Sequence, residues 1–259
     1  MGSLDGKIAI ITGAGSGIGR ETARLFAAEG ADLVLVGRRI APLEEAAEEV
    51  VALGRKAIAH SADLEDGEAA AAVTDVALSH FGRVDILVNN AGHSNKVRSI
   101  LHVGPEEWDS VFKVNVEGVY RLTQTAVRGM VERGAGTVVT VSSMAALTPG
   151  LLGGVAYSEA KGAAHNIMRC MNSELRSKGI RACTIFPGEV DTPILDGRPL
   201  PRPAEARATM MQPQDVAAAI LLCVAMPQRT HVQEIVMTPT QPRDMGEELR
   251  VAAEMKTAG

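Results

Sequence analysis

The chain has 259 residues, 46% hydrophobic and 22% charged, which supplies apolar material for one large domain with a substantial core and leaves little length for a second. Its formal net charge of −5, with no run of five or six Lys and Arg, removes the electrostatics that nucleic-acid binding depends on. The longest apolar run, Val216 to Met226, stops at Pro227, far short of a bilayer span, and the opening MGSLDGK has neither the basic nor the apolar region of a signal peptide, so the expected location is the cytoplasm.

KIAIIT (7–12) reads as a first strand, followed by a helix from Ile18 to Glu29, strand DLVLVG (32–37), a helix over 41–53, strand KAIAHS (56–61), a helix over 65–80 and strand DILVNN (85–90). A long helical stretch from about Glu106 to Arg133 leads to TVVTVSS (137–143). A helix from about Val155 to Lys178, strand IRACTIF (180–186), a helix over 214–226 and a short strand EIVM (234–237) follow. Near-continuous Val/Ile/Leu strands separated by helices predict a parallel sheet covered on both faces, a doubly wound α/β Rossmann fold in one domain spanning 1–259. Two segments break the pattern. Residues 193–213, rich in Pro and Arg, read as a lid, and the polar tail 243–259 as an exposed helix or a frayed end.

The first strand runs into TGAGSGIG (12–19), where glycines allow a tight turn and let a pyrophosphate approach the free N–H groups of a helix start. The common G-x-G-x-x-G spacing fails, because Ile18 or Arg20 stands where the third glycine belongs; T-G-x-x-x-G-x-G fits, with Gly13, Gly17 and Gly19. Ser16 and Ile18 belong to the same candidate coenzyme loop. Further on, AYSEAK puts the Tyr157 phenol and the Lys161 ammonium on one helix face, four residues apart. Cys170, Cys183 and Cys223 lack any CxxC spacing and read as inert core thiols, and the scattered histidines show no metal-ligand spacing, so no metal site is expected.

The glycine pattern resembles that of the short-chain dehydrogenase/reductase family, and the resemblance extends over nearly the whole chain. It implies that Asp63 contacts adenine and that NNAG (89–92), with Asn90, Ala91 and Gly92, flanks the coenzyme. In KVNVEG, Asn115 matches the family's catalytic asparagine. Ser143 best matches the catalytic serine, with Ser142 as the alternative, and Tyr157 and Lys161 complete the tetrad. In PGEVDTP the motif residues Pro187, Gly188, Val190 and Thr192 match the loop whose threonine holds the nicotinamide amide. One departure is an extra residue between Ser143 and Tyr157, which Gly150, Gly153 and Gly154 can absorb as a loop.

An ordinary tyrosine, with a pKa of about 10, is a poor base near neutral pH, and a cation within a few ångströms lowers that value by roughly 1–3 units. Lys161 is such a cation. The implied activity is hydride transfer between a nicotinamide coenzyme and a small alcohol or carbonyl compound, with Tyr157 moving the proton. Gly37 stands where NAD-preferring members carry an acid, and Arg38 follows it, which favours NADP(H) and leaves NAD(H) possible; Ser16 departs from the second basic residue of many NADP enzymes. The C-terminal pattern resembles bacterial NADP-dependent hydroxy-acid dehydrogenases, and Arg198, Arg202 or Arg207 of the lid would read a carboxylate if turned inward. His93, directly after NNAG, either faces the cleft or is merely exposed. A homotetramer or homodimer is expected. A non-catalytic coenzyme sensor on the same fold is the alternative, and a serine hydrolase lacks its G-x-S-x-G elbow.

Overall fold

Residues 2–197, 200 and 204–256 are described by the structure, a computed structural model. The apolar runs form strands β1 (Ile8–Thr12), β2 (Asp32–Gly37), β3 (Ala57–Ser61), β4 (Ile86–Asn89), β5 (Gly136–Val141), β6 (Ile180–Pro187) and β7 (Glu234–Met237). They pair in parallel, in the order β3-β2-β1-β4-β5-β6-β7. Strands β1, β4, β5 and β6 are buried along their whole length, which explains why their sequences do not alternate between apolar and polar.

The connections are helices α1 (Gly17–Ala28), α2 (Ile40–Ala52), α3 (Gly67–Phe81), α4 (Pro105–Phe112), α5 (Val119–Arg133), α6 (Met144–Leu147), α7 (Val155–Leu175), α8 (Ala204–Ala208), α9 (Pro213–Ala225) and α10 (Gly246–Glu254). Because side chains alternate across a strand, Leu33 and Leu35 of β2 join Phe26 and Ile220 in one core layer. Val34 and Val36 join Val73, Leu122 and Met168 in the other. The strand order reverses between β1 and β4. A crevice opens there at the carboxyl ends of the strands, where open α/β sheets bind ligands.

The structure departs locally from the sequence reading in four places. The predicted helix over 106–133 is interrupted by a π-helical turn, Lys113–Gly118, between α4 and α5. The third helix starts at Gly67 rather than at residue 65, because the Asp66 side chain accepts from the Glu68 and Ala69 N–H groups and so caps it there. Segment 137–143 stays a strand only to Val141; Ser143 instead caps α6, its hydroxyl accepting from the Ala145 N–H. The helix begun at Val155 tightens to a 3-10 turn at Arg176–Lys178 before Gly179.

The two irregular segments also differ from expectation. Within 193–213 the described residues form a 3-10 turn (Pro193–Gly197) and α8, and Met211 makes a parallel bridge to Val190. The tail is tied down: Arg243 pairs with Glu189 and Glu248, all three side chains between 11% and 17% exposed, and Ala252 of α10 is buried.

Candidate active site

The loop after β1 and the loop after β4 are sewn together at the crevice. Thr12 Oγ1 accepts from the Asn90 and Ala91 N–H groups, each at 2.9 Å, and Asn90 Nδ2 donates to the Thr12 carbonyl at 2.9 Å. Helix α1 then begins with Ser16 as a residue whose side chain caps nothing and with no acid in the first turn, so its N-terminal amides stay available to an anion. Gly19 permits the close packing behind that turn: a Cβ there would lie 2.2 Å from the Gly13 carbonyl oxygen.

A cavity of about 1060 Å³ fills the crevice. Gly13, Ser16, Gly17 and Ile18 line it, with Gly19 packed behind Gly13, and so do Arg38, Arg39, Asp63 and Leu64. Asn90, Ala91 and Gly92 line it as well. Pro187, Gly188, Val190 and Thr192 form the facing wall, the Gly188 N–H donating to Met237 at 2.7 Å and Thr192 packing 3.2 Å from the Cβ position of Gly17.

Ser143, Tyr157 and Lys161 line the same cavity. Lys161 Nζ lies 5.7 Å from the centre of the Tyr157 ring and donates to the Val141 carbonyl at 2.9 Å. Burial lowers its pKa from 10.5 to about 8, which still leaves it largely cationic at neutral pH. Ser142 and Ser143 differ in what their hydroxyls do. Ser142 is buried and spends its proton on the Lys161 carbonyl at 3.0 Å, whereas Ser143 only accepts, from Ala145 at 3.1 Å, and keeps its O–H to donate.

Asn115 sits in the π-helical turn, just behind the cavity wall. Its Nδ2 donates to the Val111 and His93 carbonyls, each at 2.9 Å, while its buried Oδ1 has no partner among the described residues. A Cβ built on Gly92 would lie 2.5 Å from that oxygen and 3.1 Å from Lys161 Nζ, so both groups converge beneath Gly92. His93 lines the cavity and is half-buried rather than merely exposed. Burial lowers its pKa, and its Nε2 lies 3.2 Å from Ser110 Oγ, which donates to Glu65 at 2.7 Å.

Of the three lid arginines, only Arg207 lies within the described residues, and it does not turn toward the cavity. Arg207 directs its guanidinium to Asp191, at 3.0 Å, and to Asp196, and is not among the residues lining the cavity. Arg198 and Arg202 lie outside the described residues. Arg98 and Arg243 border the cavity instead, and so do Gln241 and, from the tail, Met245 and Leu249. The spacing of Met245, Leu249 and Ala252 is the amphipathic signal that marks this segment as docked. Nothing in the sequence marks Asn95, a buried loop residue whose Oδ1 accepts from the Tyr157 N–H at 3.2 Å. Among the described residues no cluster of His, Cys, Asp and Glu could hold a metal ion, and no helix is long and apolar enough to cross a membrane.

The family model described as short chain dehydrogenase matches residues 7–200. An uncharacterized oxidoreductase of Staphylococcus aureus is 32% identical over 239 residues, covering 92% of this chain and 100% of that protein. Among solved structures, a metagenomic short-chain oxidoreductase in complex with NADP is 30% identical, with a TM-score of 0.80 over 93% of this chain and 100% of that one. A 7α-hydroxysteroid dehydrogenase complexed with NADH and 7-oxoglycochenodeoxycholic acid is 32% identical, with a TM-score of 0.83 over 92% of this chain and 94% of that one.

Proposed function

The chain belongs to the short-chain dehydrogenase/reductase family, a family of NAD(P)-dependent oxidoreductases, and on that premise we propose that it interconverts a small alcohol and its carbonyl compound with NADP(H), Tyr157 moving the proton. The observation that carries this reading is that Ser143, Tyr157 and Lys161 line one cavity, with Lys161 Nζ over the Tyr157 ring and an Asn115 oxygen that has no partner among the described residues meeting Lys161 beneath Gly92. The residues present fit a nicotinamide dinucleotide. The uncapped start of α1 suits a pyrophosphate, Asp63 suits adenine, and Pro187, Gly188, Val190 and Thr192 line the opposite wall.

When bound, the coenzyme supplies the hydride donor or acceptor. Tyr157 takes the alcohol proton in oxidation and returns a proton to the carbonyl oxygen in reduction. Lys161 makes this feasible near neutral pH by holding a buried positive charge beside the phenol, which favours the phenolate. Ser143 donates its unspent O–H to the same substrate oxygen and so stabilises the charge that develops there. Asn115 Oδ1 is an acceptor for a water shared with Lys161, through which protons are replenished. Arg38 and Arg39 of the cavity lining, with Gly37 in place of an acid, support NADP(H) over NAD(H).

The expected assembly is a cytoplasmic homotetramer or homodimer. Ile100 and Leu101, 73% and 82% exposed, and Val236 on the edge strand β7 support a covered surface. A non-catalytic sensor on this fold would lack one of the four tetrad residues, and all four are present. The test is Tyr157→Phe, which deletes the transferable proton and keeps the ring. Turnover should vanish while coenzyme still binds by nicotinamide fluorescence; retention of more than about a few per cent of the rate would remove Tyr157 from its role.

A further inference from the structure

We infer that Asn95 is a positioning residue for Tyr157, its side-chain oxygen standing in for the N-cap that the tyrosine's helix lacks. The inference rests on the reading of Tyr157 as acid and base. Helix α7 starts at Val155 after Gly154, which has no side chain to offer, and no side chain of its own caps it. The first N–H groups of a helix need acceptors from elsewhere. Here the loop after β4 supplies them. The Arg98 carbonyl accepts from the Val155 N–H at 3.2 Å, and Asn95 Oδ1 accepts from the Tyr157 N–H at 3.2 Å.

Tyr157 is the third residue of the helix, whose N–H an N-cap side chain ordinarily satisfies. Asn95 satisfies it from 62 residues away in the chain. At 1% exposure Asn95 is walled in, and its Nδ2 donates to the Val97 carbonyl, which sets the orientation of the amide. Arg98 adds a second tie, donating to the Gly153 carbonyl at 2.6 Å. Gly154 makes this approach possible: its φ is +76°, and a Cβ there would lie 2.6 Å from Asn95 Nδ2 and 2.8 Å from Arg98 Cδ.

The need for such a clamp follows from the segment before it. Residues 144–153, which connect Ser143 to α7 and contain the extra residue, are all exposed or only partly buried, so little core holds this side of the helix start. The loop carrying Asn95 holds the other side. A proton-transfer group displaced by about 1 Å loses on the order of a hundredfold in rate, so the tie bears on chemistry as well as on folding.

Two substitutions separate positioning from plain structural support. Asn95→Ala removes the acceptor and the donor to Val97 together; Asn95→Asp keeps an acceptor oxygen, with a charge that suits a helix start, and gives up only the donation to Val97. The measurements are kcat and KM, coenzyme affinity by nicotinamide fluorescence, and the phenol titration of Tyr157 by ultraviolet difference spectroscopy. The titration uses a Tyr120→Phe background, since Tyr120 and Tyr157 are the only two tyrosines in the sequence. Asn95→Ala should lower kcat about tenfold or more and move the phenol titration toward the ordinary value, with coenzyme affinity within about twofold. Asn95→Asp should recover most of kcat and the titration. Equal losses in both variants would overturn the proposal, and so would a fall in kcat matched by coenzyme affinity with the titration unmoved. If Asn95→Ala does not fold, Asn95→Asp decides: wild-type titration and kcat support the proposal, and a tenfold loss sinks it. Because the titration needs no substrate, it reads the hold on Tyr157 even if Tyr157→Phe were to keep its activity.

Discussion

Replacing Gly37 by aspartate together with Arg38 by leucine should invert the coenzyme preference from NADP(H) to NAD(H). Strand β2 delivers both residues to the cavity that Asp63 and Leu64 also border. A Cβ on Gly37 would meet Leu43 Cδ2 at 3.5 Å, an ordinary contact, so the aspartate enters without displacing the strand. Among the described residues no carboxylate pairs with Arg38, which leaves its guanidinium for a 2′-phosphate. A charge-assisted hydrogen bond contributes roughly 1.5–3 kcal/mol, and because Arg38 is exposed the lower end applies. A carboxylate about 4 Å from a phosphate in water adds a repulsion of about 1–2 kcal/mol. Together these come to about 3 kcal/mol, on the order of a hundredfold in the ratio of the two dissociation constants. Titrating NADPH and NADH into both proteins by nicotinamide fluorescence reads that ratio independently of turnover. A wild-type protein that binds NADH more tightly, or a ratio unmoved in the double variant, would refute the role given to Arg38.

Other consequences are equally direct. Lys161 is protonated in the unfolded chain up to about pH 10.5 and in the folded chain only to about 8, so its burial penalty is full below pH 8 and is relieved as pH rises to 10.5; the stability of wild type relative to Lys161→Met should therefore rise by about 3 kcal/mol across that window in urea melts. A flat difference would show that the ammonium is solvated. Arg243→Leu takes the shared cation from Glu189 and Glu248 and should cost about 2–3 kcal/mol, releasing the tail to limited proteolysis near residue 245. Light scattering at micromolar concentration should show a dimer or tetramer, and a monomer would contradict the assembly proposed from Ile100, Leu101 and Val236.

The sheet was legible because its signals are local. Ile8 to Thr12 and Ile180 to Pro187 are apolar runs of strand length, and the turn at 12–19 carries its glycines at fixed offsets. The motif residues from Gly13 to Thr192 line or adjoin one cavity for a related reason: most follow the end of a strand in a sheet whose carboxyl edge is shared, while Asn115, Tyr157 and Lys161 are carried there by the π-helical turn and α7. What escaped depends on partners distant in sequence. Asn95 meets Tyr157 only once β4 and α7 are assembled, and Arg207 looks available for a substrate until the fold brings Asp191 beside it. The tail reads as polar because its charges are counted singly. In the structure Arg243 cancels against two glutamates, one of them 54 residues away.

The π-helical turn at Lys113–Gly118 also acts as a phase slip between two helical gears. Val111, ahead of it, packs with Ala156 and Ala160 of α7, while Leu122, Ala126 and Met130, behind it, mesh with the sheet. Removing one residue from the turn would let the whole span close as regular α-helix, a gain in backbone regularity. It would also turn everything before residue 113 by about 100° relative to everything after it. Val111 would leave its place against the helix of Tyr157, and Asn115 would swing off the bearing that points its free oxygen at Gly92. Such a single deletion should yield a protein that is more helical by circular dichroism and has lost the register between its two halves.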